Sequence, residues 1–147
     1  NKKGMEQLSS WVGSWEGEGW QMDETMQKKT FTVKEVVEPK LDGMAISIEG
    51  KGLGPDGSLG HHAIGLIFYD LDRKNYTFQS VTFEGYATRT EATFNEEGDF
   101  VWGFEIPQGQ LRYTIRITEN EWIEKGEYSA DGEQWWPTLE MKLRRVK

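Results

Sequence analysis

Residues 99–118 read DFVWGFEIPQGQLRYTIRIT, and this stretch decides the fold. Phe100, Trp102, Phe104 and Ile106 fall at every second position. Leu111, Tyr113, Ile115 and Ile117 do the same beyond Pro107-Gln108-Gly109-Gln110. A period of two belongs to a strand with one apolar face, so the stretch predicts a hairpin. A two-residue turn at Gln108-Gly109 sets Ile106 opposite Leu111, Phe104 opposite Tyr113, Trp102 opposite Ile115 and Phe100 opposite Ile117. The same register faces Glu105 with Arg112 on the other side. A slip of one residue would turn all of these apolar groups to water, so the dry face is strongly specified. One hairpin cannot bury that face alone, and the rest of the chain must cover it.

The cover is predicted to come from the same pattern repeated. Working outward, strands are expected over 14–22, 30–38, 44–49, 61–70, 76–83, 86–94, 100–106, 111–117, 121–130 and 134–146. Turn signals separate them at Pro39-Lys40-Leu41-Asp42-Gly43, Gly54-Pro55-Asp56-Gly57, 71–75, Glu84-Gly85, Asn95-Glu96-Glu97-Gly98 and Asp131-Gly132. Segment 61–70 is apolar on both parities, which implies burial on both faces or a bend at Gly65. Residues 5–12 form the one plausible short helix, with Met5, Leu8 and Val12 on a shared face and Gly13 as the stop; such a helix suits a plug at one end of a barrel. Hairpin-length loops leave no room for parallel crossovers. A greasy-faced sheet of ten strands with open edges favours closure. The expectation is an all-β chain: a closed up-and-down antiparallel β-barrel of about ten strands with a short N-terminal helix, one domain over 1–147.

Composition narrows the function. The chain has 147 residues, 36% hydrophobic and 29% charged, enough for a real core. Net charge is -8, which argues against nucleic acid as a partner; the basic end Arg144, Arg145, Lys147 is too short to reverse it. No apolar run reaches membrane-spanning length. The absence of cysteine excludes disulfides, thiolate metal sites and cysteine catalysis. The chain opens at Asn1, and cytoplasmic and exported (periplasmic) locations both stay open, as do monomer and homodimer. Seven Trp, seven Phe and 17 Gly suit strongly curved antiparallel sheet.

Gly13-Ser14-Trp15-Glu16-Gly17-Glu18-Gly19 is similar to the Gly-x-Trp-x-Gly-x-Gly opening of nitrobindin-like proteins. A Gly-x-Trp before the first strand is also typical of the calycins, meaning lipocalins and fatty-acid-binding proteins. EPKLDGMAISIEGKG, HHAIGLIFYD and VWGFEIPQGQLRYTIRIT resemble a bacterial lipocalin-like family, and this likeness spans most of the chain. The resemblance implies a ten-strand barrel around an internal cavity. Trp15 would plug the narrow end, while Gly17 and Gly19 would let the first strand bend. It implies no haem, because nitrobindins use an axial histidine late in the chain and none follows His62 here. No cofactor or metal is expected.

The expected interior set is Phe78, Tyr86, Trp102, Phe104, Tyr113 and Trp122: either the wall of a cavity for a small, mostly apolar ligand or a filled core. His61 and His62 are neighbours on a strand and point to opposite faces, so they cannot share a metal. The family resemblance, through HHAIG, places His61 with the interior set, as a ligand hydrogen-bonder, a general base or a haem ligand; the plainer reading has one histidine satisfied by a strand neighbour and the other in solvent. Glu16 and Glu18 read as a solvated outer face, with Glu49, Arg89 and Glu91 alike. Asp70, Asp72 and Asn75 read as turn residues rather than a calcium loop. Nucleophile, dinucleotide and phosphate-loop motifs are missing. The leading reading is therefore binding of a small hydrophobic ligand inside the barrel. The alternatives are a histidine-dependent enzyme (isomerase-like or haem-dependent) in the same cavity, or an interaction module using Trp135-Trp136.

Overall fold

The computed structural model describes residues 2–146; Asn1 and Lys147 lie outside the described residues. Helix α1, Lys2–Met5, runs into a 3-10 turn, Glu6–Trp11. Ten strands follow: β1 Gly13–Met22, β2 Lys28–Lys40, β3 Ala45–Leu53, β4 Leu59–Asp70, β5 Asn75–Thr82, β6 Ala87–Phe94, β7 Phe100–Ile106, β8 Gly109–Ile117, β9 Glu121–Ser129 and β10 Trp136–Val146. Each pairs antiparallel with the next, and β1 pairs with β10, so the sheet closes into an up-and-down barrel with no free edge. Among the described residues no helix is long and apolar enough to cross a membrane.

The hairpin β7–β8 forms with a different register from the one its apolar spacing suggests. Phe100 faces Ile115, Trp102 faces Tyr113, Phe104 faces Leu111 and Ile106 faces Gly109. The slip is two residues, one full strand period, so every ring keeps its face while its partner changes. Pro107 and Gln108 make the turn, where the fixed φ of proline suits the first central position. Gly109 opens β8 at φ 148°. Any Cβ there would collide with the Ser129 carbonyl oxygen of β9. Glu105 accordingly faces Gln110, not Arg112. Arg112 reaches Glu127 on β9 instead, donating from Nε at 3.2 Å and Nη2 at 3.0 Å to one oxygen.

One end of the barrel is solid. Leu8, Trp11, Trp15, Phe100, Trp122 and Leu143 are buried there. The rings of Trp11 and Phe100 meet edge to face at 5.2 Å, and those of Trp15 and Trp122 at 5.8 Å. The N-terminal segment is the plug, with Trp15 Nε1–H donating to the Trp11 carbonyl at 2.9 Å. Arg145 fastens it. Its guanidinium donates to the carbonyls of Val12, Ser10 and Glu119 at 2.6, 2.6 and 2.9 Å and lies over the Trp15 ring at 4.2 Å. Gly17 and Gly19 are needed for close approach rather than for φ. A Cβ on either would collide with β10, at the carbonyl oxygens of Lys142 and Glu140.

Strand β4 departs from expectation. Ile67 on its inner parity is fully buried, but Ile64 and Leu66 stand on the outer wall and are exposed. Gly65 accommodates the Phe78 ring of β5, which a Cβ would meet at 2.6 Å. The doubly apolar pattern therefore reflects an apolar outer patch, continued by Val81 on the neighbouring strand. At 70–73 the turn reading holds: Asp70 Oδ1 accepts from the Asp72 and Arg73 amides at 2.9 and 3.1 Å.

Candidate functional site

Above the plug, the inward positions change character. Phe78 of β5, Trp102 and Phe104 of β7, and Leu111 and Tyr113 of β8 face the lumen yet stay only partly buried. An inward side chain that keeps accessible surface borders space rather than packed atoms. Trp102 and Tyr113 stack at 5.0 Å with 19° between the planes, and Phe78 meets Trp102 edge to face at 5.0 Å. Phe104 stacks on Tyr113 at 6.3 Å. The two-residue slip creates this wall, because it sets Trp102 against Tyr113 instead of Ile115.

Two of the expected residues sit elsewhere. Tyr86 is 72% exposed and lies in the turn before β6, which starts at Ala87. Its apparent alternation with the following strand breaks at the turn, where Gly85 takes φ 96°. Trp122 is inward but belongs to the closed end, 1% exposed, so it forms the floor rather than the wall. His61 has the inward parity of Ile67 and sits at the barrel mouth beside Gly52 of β3, exposed. Desolvation by its surroundings holds its pKa below the ordinary histidine value; the Glu84 charge opposes this and His62 adds to it. Among the described residues it makes no hydrogen bond, so no acid is aligned with it. His62 is on the outer wall, 2.8 Å from Glu49. The Trp135-Trp136 pair splits: Trp135 lies under Arg112 at 3.8 Å, and Trp136 is 58% exposed.

The residues missed by sequence reasoning are the lumen's two carboxyl groups. Glu35 follows Phe31 and Val33 and precedes Val37 on the inner face of β2, and is 9% exposed. Its ladder neighbours are Trp15 on β1 and Gly50 on β3. The carboxyl lies on Gly50, where a Cβ would overlap it. Burial pushes its pKa up to about 8, and the charge of Glu124 adds to the rise. Glu124 is inward on β9, between Ile115 of β8 and Met141 of β10. It accepts Trp122 Nε1–H at 3.1 Å. Burial raises it to about 7 against the lowering effect of that bond. Glu124 is enclosed yet retains accessible surface, as a group on the wall of an internal space does. Burial, and the Glu124 charge after it, also raise the Tyr113 hydroxyl. The signal was available: a carboxylate in the apolar phase of a strand, 31-33-35-37 and 122-124-126. It required choosing the phase of each strand.

A further concavity lies outside the lumen. It is a groove of about 860 Å³ across the outer faces of β10, β1, β2 and β3, bordered by Glu16, Glu18, Lys34, Lys51, Lys142 and Arg144. Its mixed charges pair at the exposed surface, Lys34 with Glu16 at 4.0 Å and Lys142 with Glu121 at 3.2 Å, which contributes little. Glu16 and Glu18 are thus outer-face residues. Among the described residues no group of three or more metal-ligating side chains comes together.

No protein-family model matches the chain, and no curated protein matches it in sequence. Solved structures do match in fold. Rv2717c from M. tuberculosis superposes with a TM-score of 0.76 at 17% identity, over 98% of both chains. The S-type phycobiliprotein lyase CPES from Guillardia theta superposes with a TM-score of 0.66 at 12% identity, over 95% of this chain and 90% of that one. A designed fluorescence-activating β-barrel gives 0.47 at 17% identity, over 92% and 93%. The chain shares its closed antiparallel barrel fold with these neighbours, which are lipocalin-like, calycin-type barrels.

Proposed function

We propose that the protein binds a small, mostly apolar molecule in the barrel lumen. The observation that carries this is the inward aromatic wall of Phe78, Trp102, Phe104 and Tyr113, which stays partly accessible above a solid floor. A ten-strand barrel has room that its side chains need not fill, and stacked rings give a ligand contact area at small entropic cost. The lyase from Guillardia theta has the same architecture; that likeness concerns the scaffold only. His61, at the rim without an aligned acid, gives the histidine-enzyme reading no geometric support.

The test is a titration with retinol, read by energy transfer from tryptophan, with decanol as competitor. Saturable binding with a Kd in the micromolar range, about -8 kcal/mol, is expected. Trp102→Ala should weaken it by about tenfold, since one stacked ring contributes about 1 kcal/mol or more. A lumen closed to both probes would leave both signals flat and end the proposal.

A further inference from the structure

The chemistry of the ligand's polar end follows from what the lumen lacks, provided the lumen is a ligand site as proposed above. Glu35 is more than nine-tenths buried and, among the described residues, makes no hydrogen bond and no ion pair. The charge it feels is that of a second carboxylate, Glu124, from across the β1–β10 seam. Along that seam Gly17 and Gly19 of β1 present no side chain, and only the apolar Met141 and Leu143 of β10 lie against them. Glu124 has one oxygen engaged by Trp122 and no cation. The cations nearby are committed elsewhere. Arg145 is spent on three carbonyls at the plug. Arg112 faces outward to Glu127 and Trp135. Lys34, Lys51, Lys125 and Lys142 are on the outer wall. Tyr113 on β8, Tyr128 on β9, Tyr76 on β5, and Tyr69 and, at the mouth, His61 on β4 also take inward positions; the Tyr128 and Tyr76 hydroxyls donate to the carbonyls of Gln108 and Gly4.

Two desolvated carboxyl groups with no countercharge are half of an ion pair. We propose that the ligand supplies the other half: an apolar body carrying a basic nitrogen, a protonated amine or amidine, seated between Glu35 and Glu124. The body then lies along the aromatic wall. Tyr113 covers Gly126, two residues from Glu124 on the same inner face, with its ring 2.8 Å from where a Cβ would stand. Aromatic faces beside the carboxyls also favour a cation. Gly50 fits the same picture, because leaving out its side chain gives the Glu35 carboxyl its seat.

Proton balance follows. At neutral pH Glu35, pushed up to about 8, holds its proton, and Glu124, raised to about 7, holds one about half of the time. The incoming ammonium keeps its own proton, and a carboxyl releases one to solvent as the ion pair forms. Amine affinity should therefore rise between about pH 6 and about pH 9, as that proton becomes easier to remove, while a fatty carboxylate becomes a poorer ligand over the same range.

The experiment compares decylamine, decanol and decanoate by tryptophan quenching, with calorimetry in two buffers of different ionisation enthalpy to count released protons. The expected order at about pH 8 is amine over alcohol by about tenfold, with decanoate weakest, and a net proton release for the amine alone. The amine-to-alcohol ratio should fall toward one in Glu35→Gln, Glu124→Gln and their double variant, each checked for folding by circular dichroism. Equal binding of amine and alcohol to the parent protein would overturn the inference and leave the lumen reading intact. Preference for the amine that survives the double substitution would overturn it as well. Failure of all three probes to bind would remove both.

Discussion

At the scale of the residue, Glu35 is the position where the barrel acts against stability. Its carboxyl is pushed up to about 8 by burial, against the ordinary glutamate value of 4.5. Between these values the unfolded chain releases a proton that the folded chain keeps, so stability falls as pH rises through that window and levels off above it. Each unit of such a shift corresponds to about 1.4 kcal/mol. Glu35→Gln should flatten this slope and make the variant more stable than the parent at about pH 9, with a smaller gain at about pH 5, read as urea midpoints at the two values. Parallel pH dependence in the two proteins would show that Glu35 is ionised at little cost. Gly50→Ala is the companion: the added methyl meets the flexible end of Glu35, so folding should survive while the carboxyl is displaced and the amine preference falls. In the sequence this is legible only once the phase of the strand is chosen. The run TFTVKEVVEP carries β-branched residues on both parities, and nothing local says which parity of the strand turns inward.

At the scale of the element, β1 shows two kinds of glycine requirement. Gly13 takes φ 139°, a conformation that favours glycine, beside the Arg145 guanidinium. Gly17 takes no such φ; β10 passes too close for any side chain. Gly17→Ala should therefore cost about 1–3 kcal/mol, in contrast to Gly50→Ala, because the atom in the way is a backbone carbonyl that cannot step aside. Chemical unfolding of the two variants side by side reads the difference. The sequence placed the strands here well: the turn at Gly54-Pro55-Asp56-Gly57 lies between β3 and β4, with Asp56 Oδ1 accepting the Ser58 amide at 3.0 Å. In the β7–β8 hairpin the apolar spacing gives the correct face and a register two residues away from the observed one. Alternation specifies parity and is blind to a slip of a full period; Pro107 in the turn and the β9 backbone behind Gly109 choose between the two.

At the scale of the whole molecule, the closed end is held by groups far apart in the chain. Arg145 on β10 binds the carbonyls of Ser10 and Val12 before β1 and of Glu119 before β9. Arg145→Ala leaves those carbonyls without this partner and uncovers the Trp15 ring, and should cost about 2–4 kcal/mol in a denaturant unfolding curve. Arg145→Lys should recover little of it, since a single ammonium cannot span three acceptors as a planar fork does. Trp11→Ala, at the centre of the plug, should cost about 3–5 kcal/mol by the same measurement. The sequence by itself determined the strand count, the up-and-down order and the dry face of each aromatic segment, because alternation and turn chemistry are written within ten or so neighbouring residues. The tertiary structure decided which rings meet, that Tyr86 lies outside and Trp122 in the floor, and that two carboxyl groups share the lumen. Those facts depend on how far each strand slides against the next and on what faces it across the barrel, and no local pattern encodes either.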